Sequence, residues 1–210
     1  VLLPVSKSDR VIRSRRRIAS AAPLLAWAMF AGAMAVSVPV QAQGTPLSRP
    51  GAANVVGASM LSGKLRFELP DGFDRTALPP DAKRGKDVVY LHPGRQQMVL
   101  TTESPTGSRV NVGEDDRKFL DASLAAHLAE LDKPVPNYRR LATRAYAFKG
   151  LGLRRTDGTS TFFDQPVRTS SLVAGNGVVV SVVMIMSGID DEAGHHALVA
   201  RILDSIAANR

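Results

Sequence analysis

The chain has no cysteine among its 210 residues. That excludes disulfides, thiolate metal sites, a cysteine nucleophile and a lipidated N-terminal cysteine. It also lacks a G-x-S-x-G elbow, an H-E-x-x-H helix and a Walker A loop, so no familiar hydrolytic or nucleotide-binding centre is signalled. Gly57-Ala58-Ser59-Met60-Leu61 approaches the elbow but misses its second glycine. Gly150-Leu151-Gly152 is no dinucleotide fingerprint, because Arg155 stands where the third glycine belongs. Internal repeats are absent. Charge is missing altogether from Ala21 to Val40.

That uncharged run is the centre of an export address. Before it stand Lys7, Arg10, Arg13, Arg15, Arg16 and Arg17 against the lone Asp9. Positive charge stays on the cytoplasmic side while the apolar segment enters the membrane. Val40 and Ala42 place small side chains where a signal peptidase reads them, so cleavage is expected after Ala42. The alternative is an uncleaved inner-membrane anchor formed by residues 21–40; Pro23, Gly32, Ser37 and Pro39 argue against it. Ser14-Arg15-Arg16-Arg17-Ile18 also resembles the twin-arginine motif, although an ordinary basic leader accounts for it.

Removing residues 1–42 leaves 21 basic and 18 acidic side chains, a net +3. The basic character of the whole chain therefore belongs mostly to its leader and is no argument for nucleic acid. Residues 43–63 are rich in Gly, Ala, Ser and Pro and read as a flexible linker. Residues 64–210 read as one domain held by its core, since about 150 residues bury most of their chain surface.

Within that domain, Leu65 to Leu69 alternates as a strand stopped by Pro70-Asp71-Gly72. Asp87–Leu91 and Gln97–Thr102 follow, joined by a turn at His92-Pro93-Gly94-Arg95. A helix of about 17 residues is capped by Asp115 or Asp116 and turns Phe119, Leu120, Leu124, His127, Leu128 and Leu131 to the core. Strands are expected at 142–148, at 152–156 closed by Asp157-Gly158, at 167–174, and at 178–186 after the Gly175-Asn176-Gly177 turn. The last strand is apolar without alternation, which predicts a mid-sheet position covered on both faces. A C-terminal helix opens at Asp190, Asp191 and Glu192 and carries the stripe Leu198, Val199, Ile202, Leu203 and Ile206.

This order resembles the DcrB-type periplasmic proteins of the PsbP-like fold. The resemblance rests on the export signal, Phe67-Glu68-Leu69-Pro70, the Val88-Val89-Tyr90 hairpin, the acid-capped helix, the Lys149-Gly150 turn and the Asp190-Asp191 cap. It covers roughly Leu65 to Ala207. It implies an α/β (α+β) domain: a mainly antiparallel sheet of about six strands with helices packed on both faces. It also implies a non-enzymatic accessory role with no cofactor, as in photosystem II extrinsic subunits, a Ran-binding nuclear factor and an envelope protein linked to phage uptake. The chain departs from the bacterial members in lacking a lipobox cysteine and in inserting Thr161 to Gln165.

Two sets of residues stand out as site candidates. Asp191 with His195, and Glu192 with His196, are four apart on a helix and share a face, as a chelating pair does. The plainer reading makes His195 the end of the core stripe and the acids its cap, so no metal is expected. Seven cations, Arg139, Arg140, Arg144, Lys149, Arg154, Arg155 and Arg168, face only Asp157 and Asp164 across that stretch. They suggest either a basic patch for an envelope protein or an anionic membrane surface, or a solvated sheet edge. Phe162 and Phe163, flanked by Arg154, Arg155 and Arg168, form the candidate partner contact; the competing account packs both rings under the loop. The function expected is an exported, monomeric, non-enzymatic accessory module of the cell envelope. A periplasmic binding protein for a small ligand or metal is the alternative, and a hydrolase the third reading. Val180→Asp or Met184→Asp is expected to prevent folding, and Asp157→Ala to change little.

Overall fold

A computed structural model describes residues 56–77, 86–131 and 137–210. The leader, its cleavage site and the segment 21–40 lie outside the described residues. The chain runs β1 (Val56–Met60), β2 (Leu65–Leu69), β3 (Asp74–Ala77), β4 (Lys86–His92), β5 (Gln97–Pro105) and α1 (Arg117–Leu131), then β6 (Arg139–Phe148), β7 (Leu151–Phe162), β8 (Gln165–Gly175), β9 (Val179–Gly188) and α2 (Glu192–Ala208). Strands β3 to β9 build one antiparallel sheet in the order β3-β4-β5-β9-β8-β7-β6, and β1 and β2 form a separate hairpin.

β9 is the middle strand of the seven. Its two sets of side chains enter different layers because successive residues of a strand face opposite ways. Val183 and Ile185 join Leu198, Val199, Ile202 and Ile206 of α2, while Met184 and Met186 pack with Leu131 of α1. The expected mid-sheet strand and the helix on each face are therefore both present, although the sheet has seven strands rather than six. Fully burying a Leu or Ile side chain contributes about 1.5–3 kcal/mol, and the α2 layer contains Leu65, Leu69, Leu151, Leu153, Leu172, Ile185 and Ile202 at 0% exposure.

The folded region begins earlier than the linker reading placed it. Val56–Met60 pairs antiparallel with Leu65–Leu69, and the hairpin packs its Ala58, Met60, Leu65, Phe67 and Leu69 into the α2 core. A Gly/Ser/Ala-rich segment becomes a strand here because every second side chain finds that core. Its turn is unusual. Leu61, Ser62 and Gly63 have φ of 50°, 55° and 88°, a left-handed path that costs a leucine energy. Burial of the Leu61 side chain and donation of its N–H to Glu103 Oε1 at 2.5 Å hold it there.

β3 was not anticipated, being short and polar, and it forms one edge. β7 does not stop at Asp157-Gly158 but continues to Phe162. Gly158 serves instead as a gap in the strand: a Cβ there would meet Tyr138 at 2.7 Å and the Arg139 carbonyl oxygen at 2.8 Å. The residues read as an insertion are an ordinary two-residue hairpin, with Phe163 and Asp164 both left-handed at φ 47° and 60°. α1 is 15 residues long, and Asp116 is its cap, accepting from the Phe119 N–H at 2.8 Å.

Candidate functional site

Strand alternation divides the predicted partner contact. Arg154 points to the α1 layer, where its Nε donates to Asp121 at 2.5 Å and its Nη2 reaches the Arg117 carbonyl. Arg155 points to the α2 layer, where its Nε donates to Asp157 at 2.7 Å. Both are buried, at 8% and 6% exposure. Arg168 donates to Glu192 at 2.6 Å and to the Ile189 carbonyl at 2.9 Å, pinning β8 to the start of α2. Phe162 is half-buried against the Leu131, Met184 and Met186 cluster, whereas Phe163 is 45% exposed at the turn. These five residues share no surface. Neither account of the two rings holds whole: one is tucked in and one is out.

The acids and histidines at the start of α2 also part ways. The Asp191 carboxylate caps the helix, accepting from the Gly194 N–H at 3.0 Å. Glu192 serves Arg168 and lies 3.4 Å from His196 at the surface. His195 turns inward and is 3% exposed. Among the described residues no three His, Asp or Glu side chains converge as a metal site would need.

His195 is instead the centre of a buried polar chain. Its Nε2 lies 2.9 Å from Ser170 Oγ, and its Nδ1 lies 3.1 Å from Ser187 Oγ. Ser170 Oγ donates to Asp157 Oδ1 at 2.6 Å, and that oxygen also takes the Arg155 Nε–H. Burial pushes the imidazole pKa down to about 4, with His196, Arg155 and Arg168 adding to the effect and Asp157 opposing it. The ring is therefore neutral near pH 7, and the donors can be ordered. Ser170 spends its proton on Asp157, so it must accept from Nε2–H. Nδ1 is then bare and accepts the Ser187 hydroxyl. The chain runs one way, from Ser187 through His195 and Ser170 to Asp157.

This cluster holds the residue types of a hydrolytic triad in the wrong order. The carboxylate contacts the serine and not the imidazole, whereas a triad needs it to orient the base. Ser170 is 0% exposed, and both ring nitrogens are occupied. What the arrangement does is satisfy buried polar groups between α2 and the sheet. Sequence reading placed His195 in the core stripe but missed Ser170 and Ser187. The available signal was Thr169-Ser170-Ser171, three consecutive hydroxyls just ahead of the apolar Leu172-Val173-Ala174.

Accessible chemistry lies at the other end of the sheet, on β6. Among the described residues this strand pairs only with β7, and its residues are mostly exposed. Arg139, Arg140 and Arg144 are exposed there, and none of them meets a carboxylate among the described residues. Of the seven cations singled out in the sequence, these three occupy the β6 edge of the sheet. Register slips between Arg140 and Ala142, and the skipped residue, Leu141, is 56% exposed. Beside it an open groove of about 510 Å³ runs between β6 and α1, lined by Leu124, Leu128, Leu141 and Thr143 together with the charged Asp121 and Arg140.

No known family and no curated protein matches the chain. Among solved structures it is similar to cyanobacterial PsbP (CyanoP) from Synechocystis sp. PCC 6803, at 12% identity and a TM-score of 0.53, covering 80% of this chain and 98% of that one. The fold is PsbP-like. LpqN of Mycobacterium tuberculosis, described as involved in cell envelope biogenesis, aligns at 14% identity over 75% of this chain and 86% of its own, with a TM-score of 0.45. Within the PsbP-like frame here, β6 is one sheet margin and α2 covers the face that carries His195. Among the described residues no helix is long and apolar enough to cross a membrane.

Proposed function

We propose that the protein is an exported, non-enzymatic accessory module of the bacterial cell envelope, of the DcrB-like kind, working as a monomer through a protein contact. It uses no cofactor and binds no nucleic acid. The observation that carries this reading is the row of exposed arginines on β6, Arg139, Arg140 and Arg144, which no carboxylate meets among the described residues. The buried cluster at His195 is by contrast closed, from Ser187 through His195 and Ser170 to Asp157 and Arg155. A catalytic centre built on His195 would need an accessible group with unspent donors or acceptors, and this cluster offers neither. The PsbP-like fold and the leader read from the sequence fit the same role.

The small-ligand reading draws on the groove beside α1. An open trough buries little of a ligand, whereas ligand sites typically enclose most of theirs. Crosslinking and pulldown of the native protein from whole envelope tests the choice. A discrete crosslinked protein partner is expected. Recovery of the uncrosslinked chain alone, with turnover of any added ester, phosphate or peptide substrate, overturns the reading.

A further inference from the structure

We propose that the β6 edge is a docking site for an extended acidic segment of a partner protein, which adds to the sheet as an eighth strand. The inference rests on the accessory reading above and names where and what that module binds. Among the described residues the outer side of β6 has no neighbour. Its outward N–H and C=O groups are a template that an incoming strand can satisfy.

Charge selects the occupant. Arg139, Arg140 and Arg144 are exposed and are the residues a partner strand meets first. A second copy pairing edge to edge would set these arginines against themselves, and like charges across strands are destabilising. An acidic segment gains charge-assisted bonds instead. A lipid surface offers anionic headgroups but nothing for the strand's backbone, so a peptide uses more of what β6 presents.

The irregularity in β6 sets the pattern. Arg139 stands opposite Thr159 and Arg144 opposite Arg155. Five residues of β6 thus span four of β7, and both arginines fall on one face of the sheet. A straight strand laid outside meets them with carboxylates four residues apart. The positions between alternate to the other face, where Leu141 and the groove along Leu124 and Leu128 accept apolar side chains. The segment recognised therefore alternates acidic and apolar residues.

The test uses a short acetylated peptide of alternating threonine and valine with two glutamates four residues apart. Amide hydrogen exchange of the whole mature protein is read with and without it. Slowed exchange in 139–147 is expected, with affinity at least about tenfold lower for the Arg139→Glu/Arg144→Glu variant and restored when lysines replace the peptide's glutamates. Both arginines are exposed, so the variant is expected to melt as the parent does. Protection elsewhere, equal binding of the variant, or no protection by the peptide at millimolar concentration overturns the proposal. Arginine-dependent binding to phosphatidylglycerol vesicles without peptide binding overturns it in favour of a membrane. Peptide binding confined to a chain lacking residues 43–55 shows that this chain's own linker holds the edge, and overturns it too. Native crosslinks that persist in the double variant would reject the β6 surface and leave the accessory reading standing. Their absence from the parent protein would reject that reading instead.

Discussion

His195 Nε2 meets Ser170 Oγ at 2.9 Å across the interface between α2 and the sheet. The contact needs a neutral ring, because the imidazole must accept at Nδ1 from Ser187 while it donates to Ser170. A proton added at Nδ1 turns that acceptor into a donor facing a hydroxyl that was donating.

Acid should therefore loosen the domain. The groups facing the ring are Asp157 and Arg155 from β7, Arg168 from β8 and His196 from α2 itself. Burial, the main cause, holds the folded pKa at about 4, against about 6.5 when unfolded. The unfolded chain then binds more protons between these values, so stability is complete above about pH 6.5 and falls as pH drops toward 4. His127 on α1 is also pushed down to about 4 by burial and acts in the same sense. Each histidine should remove about 2 kcal/mol between pH 7 and 5. Urea denaturation across that range should show the fall, and His195→Gln or His127→Gln should each flatten the slope by about half. An unchanged slope in His195→Gln would show that the ring titrates normally.

Asp157→Ala should cost about 3 kcal/mol or more, because it leaves Arg155 buried without its carboxylate and removes the acceptor of Ser170. This reverses the expectation from sequence, which took Asp157 for a turn residue. The double change Asp157→Ala/Arg155→Met should recover much of the loss, since no lone charge then remains. Equilibrium unfolding of the pair decides it.

Ile185→Asp and Met184→Asp should prevent folding, with 0% and 7% exposure at the centre of β9 and no partner for a buried carboxylate. Val180, chosen from sequence for the same effect, is only half-buried near the strand's start. Val180→Asp should remain soluble and melt cooperatively at a lower temperature. Soluble yield and a thermal melt separate the three.

The β7–β8 turn should accept Asn at 163 with Gly at 164, since both positions are left-handed and this pair suits that turn. A gain of about 1 kcal/mol is expected, against a fall of several degrees for Phe162→Ser, which empties space beside Leu131 and Met186. A lower melting temperature for the Asn-Gly variant would show that Phe163 contributes packing at the turn.

The parts legible in the sequence were those with one dominant cause. The run 178–186 had to be central because nothing in it suits water. α2 announced its buried face through Leu198, Val199, Ile202 and Ile206, with His195 in line. Asn176 announced its turn, and its side chain accepts from the Val178 and Val179 N–H groups. The unreadable parts depended on a partner distant in the chain. Val56–Met60 is a strand only because the α2 core receives Ala58 and Met60. Ser170 becomes structural only when His195, 25 residues away, closes over it. Arg154 and Arg155 looked like one patch because they are adjacent, yet in a strand adjacency is what sends two side chains to opposite layers.

That same adjacency ties the two helical layers together. Arg154 fastens β7 to α1 through Asp121, and the next residue begins the chain of bonds that ends on α2. A strain that lifts either helix pulls on one stretch of backbone shared by both. The two layers should accordingly exchange their slowest amides at a common rate and come apart in one event, with β7 as the crossbar that makes the domain cooperative.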